Sequence, residues 1–280
     1  MGAAFQNEDT QMPKKSGETR KSESVSAQVK PRATIVTGGG RGIGWAIATR
    51  MAQDTAVLVV GRTEADLQAV CNAIRTAGGT ADYLVGDVSK PITARRAVAK
   101  VKKNGWQLHN LVVNAGIAKG GAAHEFDRKV WKDIFAVNVD GAFYFSQECL
   151  KVMVEQKCGT ISFINSISGV KGFKYDSAYT ASKHAQLGFA KSLALEYAKH
   201  GIVVVPICPH FVESDMTRRT VAGLVRHRKI SEAEAEDIVK NTNPQKRIIP
   251  AEEVAEAVAL VASGKLPSLN GNPLMLTGGA

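Results

Sequence analysis

The chain has 280 residues, 44% hydrophobic and 22% charged, with a formal net charge of +10. It can bury a sizeable core, and it lacks the roughly 20-residue apolar run of a membrane span. The four cysteines (Cys71, Cys149, Cys158, Cys208) show no CxxC spacing and the six histidines form no HExxH, so no metal site or disulfide framework is expected and a reducing cytoplasm fits best. The positive charge is dispersed and carries no aromatic-basic stripe. It therefore points to an anionic small ligand rather than to nucleic acid.

Residues 1–31 are polar and almost free of large apolar side chains, so a disordered tail is expected there. No apolar signal-peptide core is present, and Glu8, Asp9, Glu18 and Glu23 argue against a mitochondrial leader. Ala33–Thr37 reads as a buried strand. Gly38-Gly39-Gly40-Arg41-Gly42-Ile43-Gly44 follows and opens a helix. In this setting backbone amides at a helix N-terminus hold a phosphate. GxGxxG fails at Ile43, and the spacing that fits is Gly38-x-x-x-Gly42-x-Gly44.

The strand Ala56–Val60 ends in Gly61-Arg62. An acid at this place suits NADH, whereas an arginine suits the 2′-phosphate of NADPH. Arg62, with Arg41 in the glycine loop, favours NADPH; either arginine alone is ambiguous. Helix Glu64–Ala77, strand Thr80–Val85 with Gly86-Asp87-Val88, helix Thr93–Lys103 and strand Leu108–Val113 with Asn114-Ala115-Gly116 continue the alternation. A long helix is expected over Asp127–Glu155, a strand over Thr160–Asn165, a helix over Tyr179–Lys199 and a strand over Ile202–Ile207. Residues 213–247 break the rhythm with two short helices, Ser214–Lys229 and Ser231–Lys240, placed where a substrate lid would lie. Helix Ala251–Ala262 and strand Pro273–Leu276 close the chain. The pattern predicts one α/β domain over residues 32–280, a Rossmann-type doubly wound parallel sheet with helices on both faces.

Tyr179 and Lys183 are four residues apart, hence on one helix face. A nearby ammonium favours the phenolate, lowers the tyrosine pKa and enables proton transfer near neutrality. Alone, the pair also fits a solvated helix face.

With these pieces in order, the chain resembles the short-chain dehydrogenase/reductase family. The resemblance rests on Thr37-Gly38-x-x-x-Gly42-Ile43-Gly44, Asp87-Val88, Asn114-Ala115-Gly116, Asn138, Ser166 and Tyr179-x-x-x-Lys183. It implies Tyr179 as general acid-base, Lys183 bound to the nicotinamide ribose, Ser166 bonded to the substrate oxygen and Asn138 holding a relay water. It also implies cofactor contacts from Thr37, Gly38, Gly40, Arg41, Gly42, Ile43, Gly44, Arg62, Asp87, Val88, Asn114, Ala115, Gly116, Pro209, Val212 and Ser214.

The family's Pro-Gly is Pro209-His210 here, and the reading favours an outward-facing His210 over contact with substrate or cofactor. Carrier-protein reductases of the family use two arginines where this chain has Lys151 and Leu195. Arg218, Arg219, Arg226, Arg228 and Lys229 suit an anion or a solvated face paired with Glu232, Glu234 and Glu236. The resemblance implies an NADP(H)-dependent carbonyl reductase of 3-oxoacyl or similar β-keto compounds. A sugar, polyol or secondary-alcohol dehydrogenase is the alternative, and a non-catalytic NADP(H)-binding regulator a remote one. It implies a homotetramer or homodimer built partly on the apolar faces of Phe135–Val154 and Leu187–Tyr197, with no membrane or nucleic-acid partner.

Overall fold

The computed structural model describes residues 30–280, so the tail expectation falls almost wholly outside the described residues. Strands β1 (Arg32–Thr37), β2 (Ala56–Gly61), β3 (Ala81–Val85), β4 (Gln107–Val113), β5 (Gly159–Ile164), β6 (Ile202–Pro209) and β7 (Leu274–Leu276) form one sheet. Their order is β3-β2-β1-β4-β5-β6-β7. Every pairing is parallel. The direction of winding reverses between β1 and β4, the place where such sheets bind ligands.

Strand alternation builds two cores. Leu58 and Val60 face one layer with Leu111, Phe145, Met153 and Phe163. Val57 and Val59 face the other, with Ile47, Met51, Leu67, Ile74 and Val258. These side chains are almost wholly buried, which contributes about 1.5–3 kcal/mol each against exposure. Helices α1 (Gly42–Met51), α2 (Glu64–Thr76) and α9 (Ala251–Ala262) cover the second layer. Helices α3 (Pro91–Lys103), α5 (Gly141–Gln156) and α6 (Ser177–Tyr197) cover the first.

The single helix expected over Asp127–Glu155 is instead α4 (Arg128–Phe135), a π-turn (Ala136–Asp140) and α5. The extra residue of a π-turn re-aims a side chain without ending the helix. Asn138 lies in that turn, fully buried. Among the described residues, no helix is long and apolar enough to cross a membrane.

Helices α7 (Asp215–Arg228) and α8 (Glu232–Asn241) follow β6. Their own small core joins Val221, Ala235 and Val239 to Phe211 and Leu224. Ser214 caps α7 by accepting from the Thr217 amide at 3.3 Å, and Ser231 with Glu234 forms a capping box on α8. The pairing expected between α7 arginines and α8 acids is not how these acids are used. Glu234 caps its own helix, Glu236 pairs with Lys240 at 3.0 Å, and Arg218 pairs with Asp215.

Candidate active site

The candidate catalytic and cofactor residues lie at or just past a strand's carboxyl end, at the start of α1, or on α6 and the π-turn beside it. Thr37 closes β1. Its hydroxyl donates to the Val112 carbonyl at 3.2 Å and accepts from the amides of Asn114 and Ala115 at 2.9 and 3.1 Å. Asn114 returns the connection, its Nδ2 donating to the carbonyls of Thr37 and Gly38 at 2.9 and 3.1 Å. Thr37 and Asn114 thus fasten the glycine loop to the end of β4.

The loop has the shape of a pyrophosphate cradle. Gly38 and Gly42 hold φ of +65° and +50°, which favour glycine. Arg41, the N-cap of α1, offers no side-chain cap, so the first-turn amides remain available to an anion. Gly42, Trp45, Glu213, Ser214, Arg218 and Glu252 line a cleft beside the loop. Arg41 reaches Asp66 at 3.2 Å and Asp215 at 3.6 Å, tying the loop to α2 and α7. Arg62 is exposed beyond Gly61, where no acid stands. Partial burial raises the Asp87 carboxyl, but bonds from Ser89 and the fields of Arg62 and Lys90 bring it below its ordinary value. This donor set fits a dinucleotide carrying a 2′-phosphate.

Ser166 follows β5. Its amide donates to Asn165 Oδ1 at 2.8 Å, and its hydroxyl accepts from the Ser168 amide at 3.0 Å. Tyr179 lies half-buried opposite, in the first turns of α6. Burial pushes its phenol well above the ordinary value, the Ser166 hydroxyl pulls it down, and Asp176 adds to the rise.

The lowering expected from Lys183 is not found. Lys183 Nζ stands 5.7 Å from the tyrosine ring centroid and donates to the Ile164 carbonyl at 2.7 Å and to Gln186 Oε1 at 3.2 Å. Loss of water around the phenolate decides the direction instead. Burial also depresses Lys183 itself, to about 8, with Cys208 opposing the change.

Asn138 accepts from the Ile117 amide at 2.9 Å and donates to the Ile117 carbonyl and to Ser182 Oγ, each at 2.9 Å. Ser182 donates to the Tyr179 carbonyl at 2.7 Å. Gln186 Nε2 donates to the Asn138 carbonyl, so Asn138, Ser182, Tyr179 and Lys183 belong to one network. Gly116 closes the wall, since a β-carbon there would stand 3.4 Å from Asn138 Oδ1 and 3.9 Å from Lys183 Nζ.

His210 is not outward-facing. It is only 8% exposed, its ring meets Phe211 edge-on at 5.2 Å, and its Nδ1 has no hydrogen-bond partner among the described residues. Burial, helped by Lys171, lowers its pKa. Lys151 is held by Glu148 at 2.9 Å, and Leu195 is 85% exposed. The sequence reading missed Asn165, Ser182 and Gln186. Each is a polar residue whose burial only the fold reveals, so no signal in the sequence marks it.

A family model described as short chain dehydrogenase matches residues 32–224. This chain belongs to that family. The 3-oxoacyl-[acyl-carrier-protein] reductase FabG of Escherichia coli is 31% identical over 249 residues, covering 89% of this chain and 96% of the relative. A 3beta-hydroxysteroid dehydrogenase of Mediterraneibacter gnavus is 30% identical, covering 91% of this chain and 96% of the relative. Among solved structures, a single-substitution variant of actinorhodin polyketide ketoreductase with NADPH superimposes with a TM-score of 0.86 at 33% identity, covering 89% of this chain and 97% of that one.

Proposed function

We propose that the chain is an NADPH-dependent reductase of a 3-oxoacyl thioester or similar β-keto compound, giving the secondary alcohol. The observation that carries the reading is geometric: the Tyr179 phenol lies beside the Ser166 hydroxyl, with Lys183 Nζ 5.7 Å from its ring centroid. The 3-oxoacyl reductase and the polyketide ketoreductase among its relatives support the substrate class.

NADPH, when bound, supplies the hydride for the carbonyl carbon. The amides around Gly38, Gly40, Gly42, Ile43 and Gly44 would hold its pyrophosphate, and Arg41 and Arg62 its 2′-phosphate. Asp87, Val88, Asn114, Ala115 and Gly116 would line the adenosine half. Lys183, Pro209, Val212 and Ser214 would serve the nicotinamide half.

Ser166 and Tyr179 each donate a hydrogen bond to the substrate oxygen. Donors placed where charge develops stabilise the transition state more than the ground state. As the oxygen becomes an alkoxide, the phenol O–H bond breaks and the alcohol O–H bond forms, leaving a phenolate on Tyr179. Lys183, while protonated, steadies that phenolate. Asn138 supports the group from the π-turn through Ser182.

The α7–α8 pair acts as the lid over the substrate. The enzyme is cytoplasmic and assembles as a homotetramer or homodimer. Support for assembly comes from the groove of Phe143, Leu150, Val154, Phe189, Leu193 and Tyr197, and from Phe143, 43% exposed. NADPH oxidation measured over a panel of carbonyls tests the function. Acetoacetyl thioesters should exceed sugars, polyols and simple ketones in kcat/KM by at least about tenfold. Tight NADPH binding without turnover of any carbonyl contradicts the reading.

A further inference from the structure

Gln186 is a glutamine only 1% exposed, one turn beyond Lys183 on α6. Its Oε1 accepts from Lys183 Nζ and from Asn165 Nδ2, each at 3.2 Å. Its Nε2 donates to the main-chain carbonyl of Asn138 at 3.0 Å. Turning the amide over would set its NH2 against two donors and its oxygen against a carbonyl, so the network fixes its orientation. Lys183 is 3% exposed, and the oxygens that receive its ammonium, from Ile164 and Gln186, are both uncharged.

A buried ammonium keeps its proton only as far as nearby acceptors replace water. The titratable groups facing Lys183 are Tyr179 from its own helix and Cys208 from β6. The stretches Asn114–Ile117 and Ile164–Ser166 that pack against it contain none.

We propose that Gln186 is a positioning residue for the reaction: its carboxamide joins the Asn138 main chain to Lys183, holds the ammonium beside Tyr179 and keeps it charged at neutral pH. Asn138 then acts on Lys183 through Gln186, because the same amide takes the Asn138 carbonyl. The link to catalysis rests on the proposed function; the hold on Lys183 does not.

The test uses Gln186→Met, which keeps the volume and removes the oxygen, and Gln186→Glu, which supplies a charged acceptor. The 13Cε resonance of Lys183 in 13C-lysine-labelled protein without cofactor, assigned by its loss in Lys183→Met, reports the titration directly. The midpoint should fall by ~0.5–1 pH unit in Gln186→Met and rise by a similar amount in Gln186→Glu, and the alkaline limb of kcat/KM should follow each. A purely structural residue would lower activity without moving the midpoint in opposite directions. If the midpoint stays in both variants, or moves the same way in both, the proposal is overturned. Should Gln186→Met not fold, an unmoved midpoint in Gln186→Glu overturns it alone. If the wild type reduces no carbonyl while the midpoints move as stated, the proposed function fails and the hold on Lys183 stands.

Discussion

Gly44 sits against Gly38 so closely that a β-carbon on Gly44 would stand 2.1 Å from the Gly38 carbonyl oxygen and 2.7 Å from Asn114 Nδ2. Neither neighbour can yield cheaply, since one is backbone and the other fastens the loop to β4. Gly44→Ala should therefore weaken NADPH binding by at least about tenfold, read by quenching of NADPH fluorescence. Gly78→Ala is the control. Its φ of +84° also strains a side chain, but nothing lies within 4 Å and it is remote from the loop. That variant should lose some stability and keep its NADPH affinity.

The alkaline limb of reduction should follow Lys183. Its pKa in the folded protein is depressed to about 8, because burial disfavours the ammonium. Below that value the lysine carries the charge that steadies the Tyr179 phenolate. As pH rises through it the proton is lost, and kcat/KM for reduction should decline toward pH 9. For stability the sign is opposite. The unfolded chain binds the extra proton between the folded pKa and the ordinary lysine value, so this group adds stability as pH rises through that window. A pH–rate profile flat to pH 10 would contradict the assignment.

Asp176 carries a testable cost. Burial raises its carboxyl to about 6, although Ser168 donates to it at 3.4 Å. The folded state thus binds more protons than the unfolded state between the ordinary aspartate value and about 6, and stability from this group is lost as pH rises through that window. Asp176→Asn should be more stable than wild type at pH 7.5, with the difference shrinking by pH 4 in urea denaturation. Removing the negative field should also lower the Tyr179 pKa, because Asp176 is one of its raising influences.

Cofactor choice should lie in Arg41 and Arg62. Arg62 is exposed, with Asp87 near enough to feel its field, and Arg41 contacts Asp66 and Asp215. Exposed ion pairs are worth little, so a phosphate can displace those carboxylates from Arg41. Arg62→Ala and Arg41→Ala should each raise KM for NADPH by about tenfold and leave KM for NADH nearly unchanged, since only NADPH presents a 2′-phosphate. Equal losses with both cofactors would mean that the arginines only shape the loop.

Most of the fold and the core of the site were legible in the sequence. The β-branched strands, the glycine loop and the alternation of elements carry strong local signals, and the chemical residues follow strand ends. Other features depend on neighbours distant in sequence. The π-turn at Asn138 is set by partners at Ile117 and Gln186, which a helical pattern does not reveal. Gln186 looks like any polar helical residue until packing against Lys183 buries it. His210 reads as a surface histidine, whereas in the fold it packs against Phe211 and is covered. Burial at Tyr179, which raises its phenol, is likewise set by packing and not by the lysine on its own helix.

The central claim is that Tyr179 gives its proton to a carbonyl oxygen, with Ser166 sharing the bond to that oxygen. Single-turnover oxidation of bound NADPH by an acetoacetyl thioester, compared between wild type and Tyr179→Phe, tests it most directly. Phenylalanine fills the same space without the hydroxyl, so NADPH should still bind while the rate falls by about a thousandfold or more. A Tyr179→Phe protein that turned over at the wild-type rate would contradict the account.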